Sequence, residues 1–299
     1  MNPRAQIRML PDGRRLHLHD GPIDLVIEAF GAAGEIEVAY RAAAARFVTV
    51  LDELCGELTF LRQATRVDGP LPHGVIARRM VAAVMPFAAR TFITPMAAVA
   101  GAVAEEILLS MIAAAELSRA YVNDGGDIAL HLSAGEKFVV GMVERPDRPS
   151  LFGTTILDAE QPVRGIATSG WRGRSFSLGI ADAVTVLADA AAEADAAATI
   201  IANEVDLPGH PNIGRVPACE LAPESDLGSR MVTQSVGELS FVEIHEALWA
   251  GVRVAESLQV AGLIRAAALN LRGEIRIADG ESAVSPVIRS HHDRSLLHA

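Results

Sequence analysis

Asp195 and Thr199 stand four residues apart within ADAAAEADAAATIIANEV, residues 188 to 205. If that stretch is helical, a carboxylate and a hydroxyl project from one face. Both are hard oxygen donors that can contribute to a magnesium shell, with waters, a carbonyl or ligand phosphates completing it. Read alone, the pair is equally an exposed acid and a threonine bonded to a preceding helical carbonyl. A second cluster is Asn123, Asp124, Gly125, Gly126 and Asp127. Its two glycines permit a turn closed to most residues, with amides able to face a ligand, and the aspartates could orient waters or hydroxyls. The same five residues also suit a plain hairpin turn. The third cluster lies in GIATSGWRGRSFSLG, residues 165 to 179. Gly165, Thr168, Ser169 and Gly170 set amides and hydroxyls close together, and Arg164, Arg172 and Arg174 offer counter-charge to phosphate or another anion. A surface hairpin with solvated arginines accounts for the same residues. No nearby base stands ready to activate Ser169 or Ser175, so neither is read as a nucleophile.

The elements that must position these groups can be read from hydrophobic period. Asp12-Gly13 marks a turn, RRLHLH after it alternates, and IDLVIEAF at 23 to 30 reads as a strand. A helical pattern over 35 to 61 carries a stripe of Val38, Phe47, Val50, Leu51, Leu54 and Leu58, in which Cys55 reads as a buried, inert thiol. A shorter helix is expected over 74 to 87. Thr94-Pro95 looks like a helix start, with the threonine side chain capping and proline in the first position. The small residues that follow, Ala97, Ala98, Ala100, Gly101 and Ala104, let another backbone or a ligand come close. Residues 118 to 132 read as a hairpin and KFVVGMV at 137 to 143 as a strand. Two more strands border the 165 to 187 region, and helices are expected over 190 to 203 and 246 to 269. Between those helices VTQSVGEL is strand-like, and RGEIRIADG gives a last strand and turn. The order does not alternate one strand with one helix. It specifies an α+β fold with hairpin-rich sheets covered by long helices.

A chain of 299 residues buries roughly three quarters of its unfolded surface, enough for one large domain or two packed ones. Its formal charge of -11 argues against a general nucleic-acid binder. A small anionic metabolite is still compatible, because a few arginines or a metal create a local positive site. Cys55 and Cys219 form no CxxC pair. The first residues lack an apolar segment of signal-peptide length, and Glu105 and Glu106 interrupt the apolar run at 96 to 104. A cytoplasmic protein without a membrane contact is therefore expected. His291, His292 and His298 show no metal-type spacing and suggest a frayed tail. Neither GxGxxG nor a P-loop is present. A symmetric homodimer is the expected assembly if there is one.

TPMAAVAGAVAEEI at 94 to 107, YVNDGGDIAL at 121 to 130, GIATSG at 165 to 170 and ADAVTVLADAAAEADAAATIIANEV at 181 to 205 follow in a distinctive order. The chain resembles the ApbE-like superfamily and, within it, the divergent UPF0280 branch. That resemblance implies a T-fold-like ApbE-type architecture over residues 1 to 275, as a single domain or two related sub-lobes, with 276 to 299 as a C-terminal tail. The well-known branch binds FAD and uses magnesium to transfer its FMN portion onto a threonine of a protein. By matching motifs, the resemblance implies Ala167 as a carbonyl ligand of the metal, joined by Asp195 and Thr199. It also implies NDGGD as a glycine turn near the ligand. Magnesium would neutralise phosphate charge and align the pyrophosphate.

The chain departs from that branch at one place. FMN transferases carry a longer connection with a histidine-bearing SHIIDP-like motif and a following TG. Here SFSLGIADAVTVLA passes almost directly onward, and His210 comes after the metal-like segment. Three readings follow. One is a soluble enzyme acting on a small anionic or flavin-like ligand, magnesium-assisted, with FAD or FMN as cofactor. Another is a non-catalytic metabolite-binding or sulfur-pathway accessory protein. The last is an FAD:protein FMN transferase.

Overall fold

Strict alternation along LHLHD and IDLVIEAF sends Leu16, Leu18, Leu25 and Ile27 into a core and leaves His17 and His19 on the opposite face. The computed structural model describes residues 4–143, 151–279 and 289–290. The chain gathers into two units. The first comprises Met1–Lys137, Arg164–Ala167 and Asp189–Ala196; the second comprises Phe138–Val163, Thr168–Ala188 and Ala197–Ala299. The chain crosses between them inside one strand and inside one helix, and both of those elements carry candidate site residues.

The first unit is an antiparallel sheet covered by helices. Strands β1 (Gln6–Met9), β2 (Leu16–Asp20) and β3 (Ile23–Phe30) precede helices α1 (Ala33–Gly56), α2 (Leu58–Leu61) and α3 (Val75–Val84). A 3-10 turn at Pro95–Ala98 leads into α4 (Val99–Ala114), followed by β4 (Arg119–Asp124) and β5 (Asp127–Leu132). Within this unit the sheet runs β1-β2-β3-β4-β5 to the first residues of β8 (Gly165–Ser169), where Ile128 faces Ile166 and Ala129 faces Gly165. Ala39, Ala43, Phe47, Val50 and Leu54 form the buried stripe of α1, at helical spacing. Helix α4 packs on α1, β4 and β5.

The second unit begins with β6 (Lys137–Val143, shared at its first residue) and β7 (Leu151–Asp158). It continues with β9 (Ala183–Ala188), the later part of α5 (Ala191–Glu204), β10 (Ile213–Pro217), α6 (Ala218–Leu221), β11 (Met231–Val236) and α7 (Phe241–Val260). Strands β12 (Ala266–Leu271), β13 (Glu274–Asp279) and β14 (Arg289–Ser290) complete it. Strand β12 pairs antiparallel with β9 and β13, β10 pairs with β11, and α7 packs on β12 and β13. All six residues of β12 are buried.

Three expectations need correction. Thr94 makes no side-chain cap: the chain first forms the 3-10 turn, so α4 opens at Val99 after Ala98. Cys55 is exposed, because it lies off the buried stripe of α1. The helix expected over 246 to 269 is instead α7, beginning at Phe241 and stopping at Val260. Gly262, at φ 74, terminates it in a left-handed conformation, and AAALNL then forms β12. A short apolar run buried on both faces has no period to separate strand from helix. The run Pro95–Ala114 is long and apolar enough to cross a membrane by length and composition alone, yet it carries two ion-paired acids, Glu105 and Glu106. The histidines at 291, 292 and 298 lie outside the described residues.

Candidate functional site

Helix α4 begins after an alanine, whose side chain offers no acceptor to the first free amides. Asp195 supplies one from helix α5. Its carboxylate accepts hydrogen bonds from the backbone N–H of Gly101, at 3.1 Å, and of Ala100. Helix α5 also begins after an alanine, and its need is met in return. The Glu105 carboxylate of α4 accepts from Ala192 N–H at 2.8 Å and from Ala191 N–H. Each helix thus caps the other with a carboxylate placed beyond its own first turn.

This exchange requires the two helix starts to touch, and two glycines make that contact feasible. A Cβ on Gly101 would stand 2.3 Å from the Ala191 carbonyl oxygen. A Cβ on Gly165 would stand 2.2 Å from the Ala190 carbonyl carbon and oxygen. The small residues at the start of α4 therefore admit another backbone, one of the two options open from the sequence.

The crossing concentrates negative charge. Asp195 retains some open surface, but its carboxyl group is enclosed closely enough that desolvation pushes its pKa up to about 7. The nearby Asp124 carboxylate raises it further, against the two amide hydrogen bonds. Asp124 is itself buried, at the end of β4. Burial also raises the Glu105 carboxyl, which Arg79 faces at 3.0 Å. Asp124 and Asp195 form the acidic pair of this region, and their oxygens are hard donors suited to a small divalent cation. Among the described residues no group of three or more His, Cys, Asp or Glu side chains is arranged to hold a metal. A cation here would need carbonyl, hydroxyl, water or ligand oxygens as well.

The other nominated residues fall as follows. Asn123 to Asp127 form the tip of the β4–β5 hairpin, with Asp124 opposite Asp127 and a two-residue Gly125-Gly126 loop at φ 64 and 118. Asn123 Oδ1 accepts from Gly126 N–H at 2.8 Å and fixes the turn. The same hairpin carries Asp124, whose charge acts on the Asp195 carboxyl. Ala167 lies fully buried in β8, in the same unit. Thr199 follows Asp195 by one turn of α5 and belongs to the second unit, as do Thr168, Ser169, Gly170 and Arg172. There the hydroxyls of Thr168 and Thr185 share a hydrogen bond of 3.0 Å. A Cβ at Gly170 would lie 2.6 Å from the Asp182 carbonyl oxygen. Arg172 donates from Nε to Asp182 at 2.6 Å and stacks over Trp171. Buried Asp182 also accepts from Trp171 Nε1 and from the Arg272 amide.

The acceptor roles of Glu105 and Asp182 escape a reading of motifs, whereas Gly101 stands among the small residues read as admitting a close neighbour. The sequence conceals the need for an outside acceptor at α4, because Thr94 reads as its cap while the helix opens only after Ala98.

A family model described as AbpE bacteria matches residues 7–277. The chain is 43% identical to a UPF0280 protein of Methanopyrus kandleri over 128 residues, covering 43% of this chain and 48% of that protein. A UPF0280 protein of Methanothermobacter thermautotrophicus is 37% identical over 154 residues, or 50% of this chain and 55% of the relative. The chain thus spans about half the length of these curated relatives. Among solved structures it is similar to the flavin transferase ApbE from Vibrio cholerae, with TM-score 0.50, 11% identity, and coverage of 93% of this chain and 98% of that one. At that identity the likeness establishes the fold, a mixed α/β ApbE-type architecture.

Proposed function

The chain belongs to the AbpE bacteria family, and from that premise we propose that it binds a small anionic or flavin-like ligand together with a divalent cation held at Asp124 and Asp195. The observation carrying this reading is the acidic pair itself. Two carboxylates, one buried and one largely enclosed, lie within each other's field beside the start of α4. A bound magnesium would supply charge neutralisation for ligand phosphate or carboxylate groups. Asp195 would keep its place through the α4 amides while turning its remaining lone pairs to the cation. Ala167, in the same unit, is the further oxygen donor this reading nominates, through its carbonyl.

The fold neighbour is named a flavin transferase, which makes FAD and FMN the first ligands to test. The connection from Trp171 to Asp182 contains no histidine and is occupied by the Trp171-Arg172-Asp182 arrangement. That favours a remodelled chemistry over transfer of FMN onto a protein threonine. Equilibrium dialysis of FAD, FMN and inorganic pyrophosphate, each with magnesium and with chelator, tests the reading. Retention of at least one probe that needs magnesium and is lost in Asp195→Asn is expected. No retention in magnesium, or retention indifferent to both chelator and substitution, overturns it.

The reciprocal caps favour a second reading, in which Asp195 serves architecture alone. Under that reading Asp195→Ala lowers stability and leaves cation binding as it was.

A further inference from the structure

Helix α7 buries Ile244, Ala247, Leu248, Gly251, Val252 and Ala255 against its own unit. Its opposite face carries three apolar residues in the open: Val242 at 72% exposure, Trp249 at 49% and Val260 at 91%. Seven and eleven residues separate them, about two and three turns, so they lie in one stripe. Exposed Glu246 and Arg253 flank the tryptophan along this stripe, and neither forms an ion pair among the described residues.

We propose that this face of α7 pairs with the same face of a second copy of the chain, the two helices running antiparallel about a twofold axis near Trp249. The charge pattern selects both the partner and the direction. Glu246 precedes the tryptophan by three residues and Arg253 follows it by four. In an antiparallel pair each glutamate therefore lies across from the arginine of the other copy, twice by symmetry. A parallel pair would set like charges together. The apolar ends lie seven residues before and eleven residues after that centre, so Val260 reaches about one turn beyond Val242 of the second copy. Trp249 meets its own copy at the centre, where aromatic anchors contribute most to an interface. Helix α7, about 30 Å long, gives a contact smaller than the roughly 1,600 Å² of a standard interface, so the dimer dissociates on dilution.

Sedimentation velocity from about 1 to about 200 μM protein tests the proposal by mass action. The native chain is expected to pass from monomer to dimer across that range. Trp249→Glu should remain monomeric at the highest concentration, and Glu246→Arg should weaken association at least tenfold. Glu246→Arg combined with Arg253→Glu should restore it, because the reversed charges again face opposites. These positions are exposed, and unchanged far-ultraviolet dichroism checks that each variant is folded. A native chain that stays monomeric throughout overturns the proposal. So does a dimer that ignores Trp249→Glu, or a double reversal no better than the single one.

Discussion

At residue scale the account turns on Asp195, whose observed capping and proposed cation binding can be separated by substitution. Asparagine keeps an oxygen acceptor for the α4 amides and removes the charge; alanine removes both. Asp195→Ala is expected to cost about 1 kcal/mol through lost capping, whereas Asp195→Asn should cost less. Denaturant titration of the metal-free variants checks the order, and equal losses would place the effect in packing rather than capping. Asp195 and Thr199 were legible as a pair because helical spacing is local. The partner of Asp195 was not: Gly101 is 94 positions away, and no local rule says which acid serves which helix start. NDGGD was legible as a turn, which the β4–β5 hairpin shows, and as a site candidate, which the proposed reading carries at Asp124.

At element scale the start of α5 is held by glycines on two neighbours. Gly101→Ala and Gly165→Ala each force a Cβ into the backbone of Ala190 to Ala192. Each should cost about 1–3 kcal/mol or more by overpacking. Because both displace the same segment, the double variant should cost measurably less than the sum, and a strictly additive result would mean that each site relaxes separately. Helix α7 offers a different check. Ser240 and Glu243 form a capping box, and His210 meets the same carboxylate at 2.9 Å. The Ser240 amide, with His210, holds the Glu243 carboxyl down at about 2, below its ordinary 4.5. Its contribution is therefore present above about pH 4.5 and is lost as pH falls through about 2. Glu243→Gln should flatten that acid limb of stability, while Ser240→Ala should cost about 0.5–2 kcal/mol near neutral pH. An acid limb unchanged in Glu243→Gln would assign it to other carboxylates. The capping box in SFVE and the glycine at 262, which bound the helix, were missed by the reading of a helix over 246 to 269. Strand β12 was hidden because AAALNL, apolar except for Asn270 and buried at every residue, lacks the alternation that revealed β2 and β3.

For the whole molecule, motif order announced the family, and composition alone could not have done so. The family model and the ApbE-type fold agree with that order. Chemistry is a separate matter: a shared fold hosts different reactions, and the site must be argued from its own groups. The most direct test of the central claim is electron paramagnetic resonance of manganese(II) added to purified, chelator-treated protein. One manganese bound per native chain is predicted, displaced by excess magnesium and absent in Asp195→Asn. Equal manganese binding in the native chain and Asp195→Asn, or none in either, would contradict it.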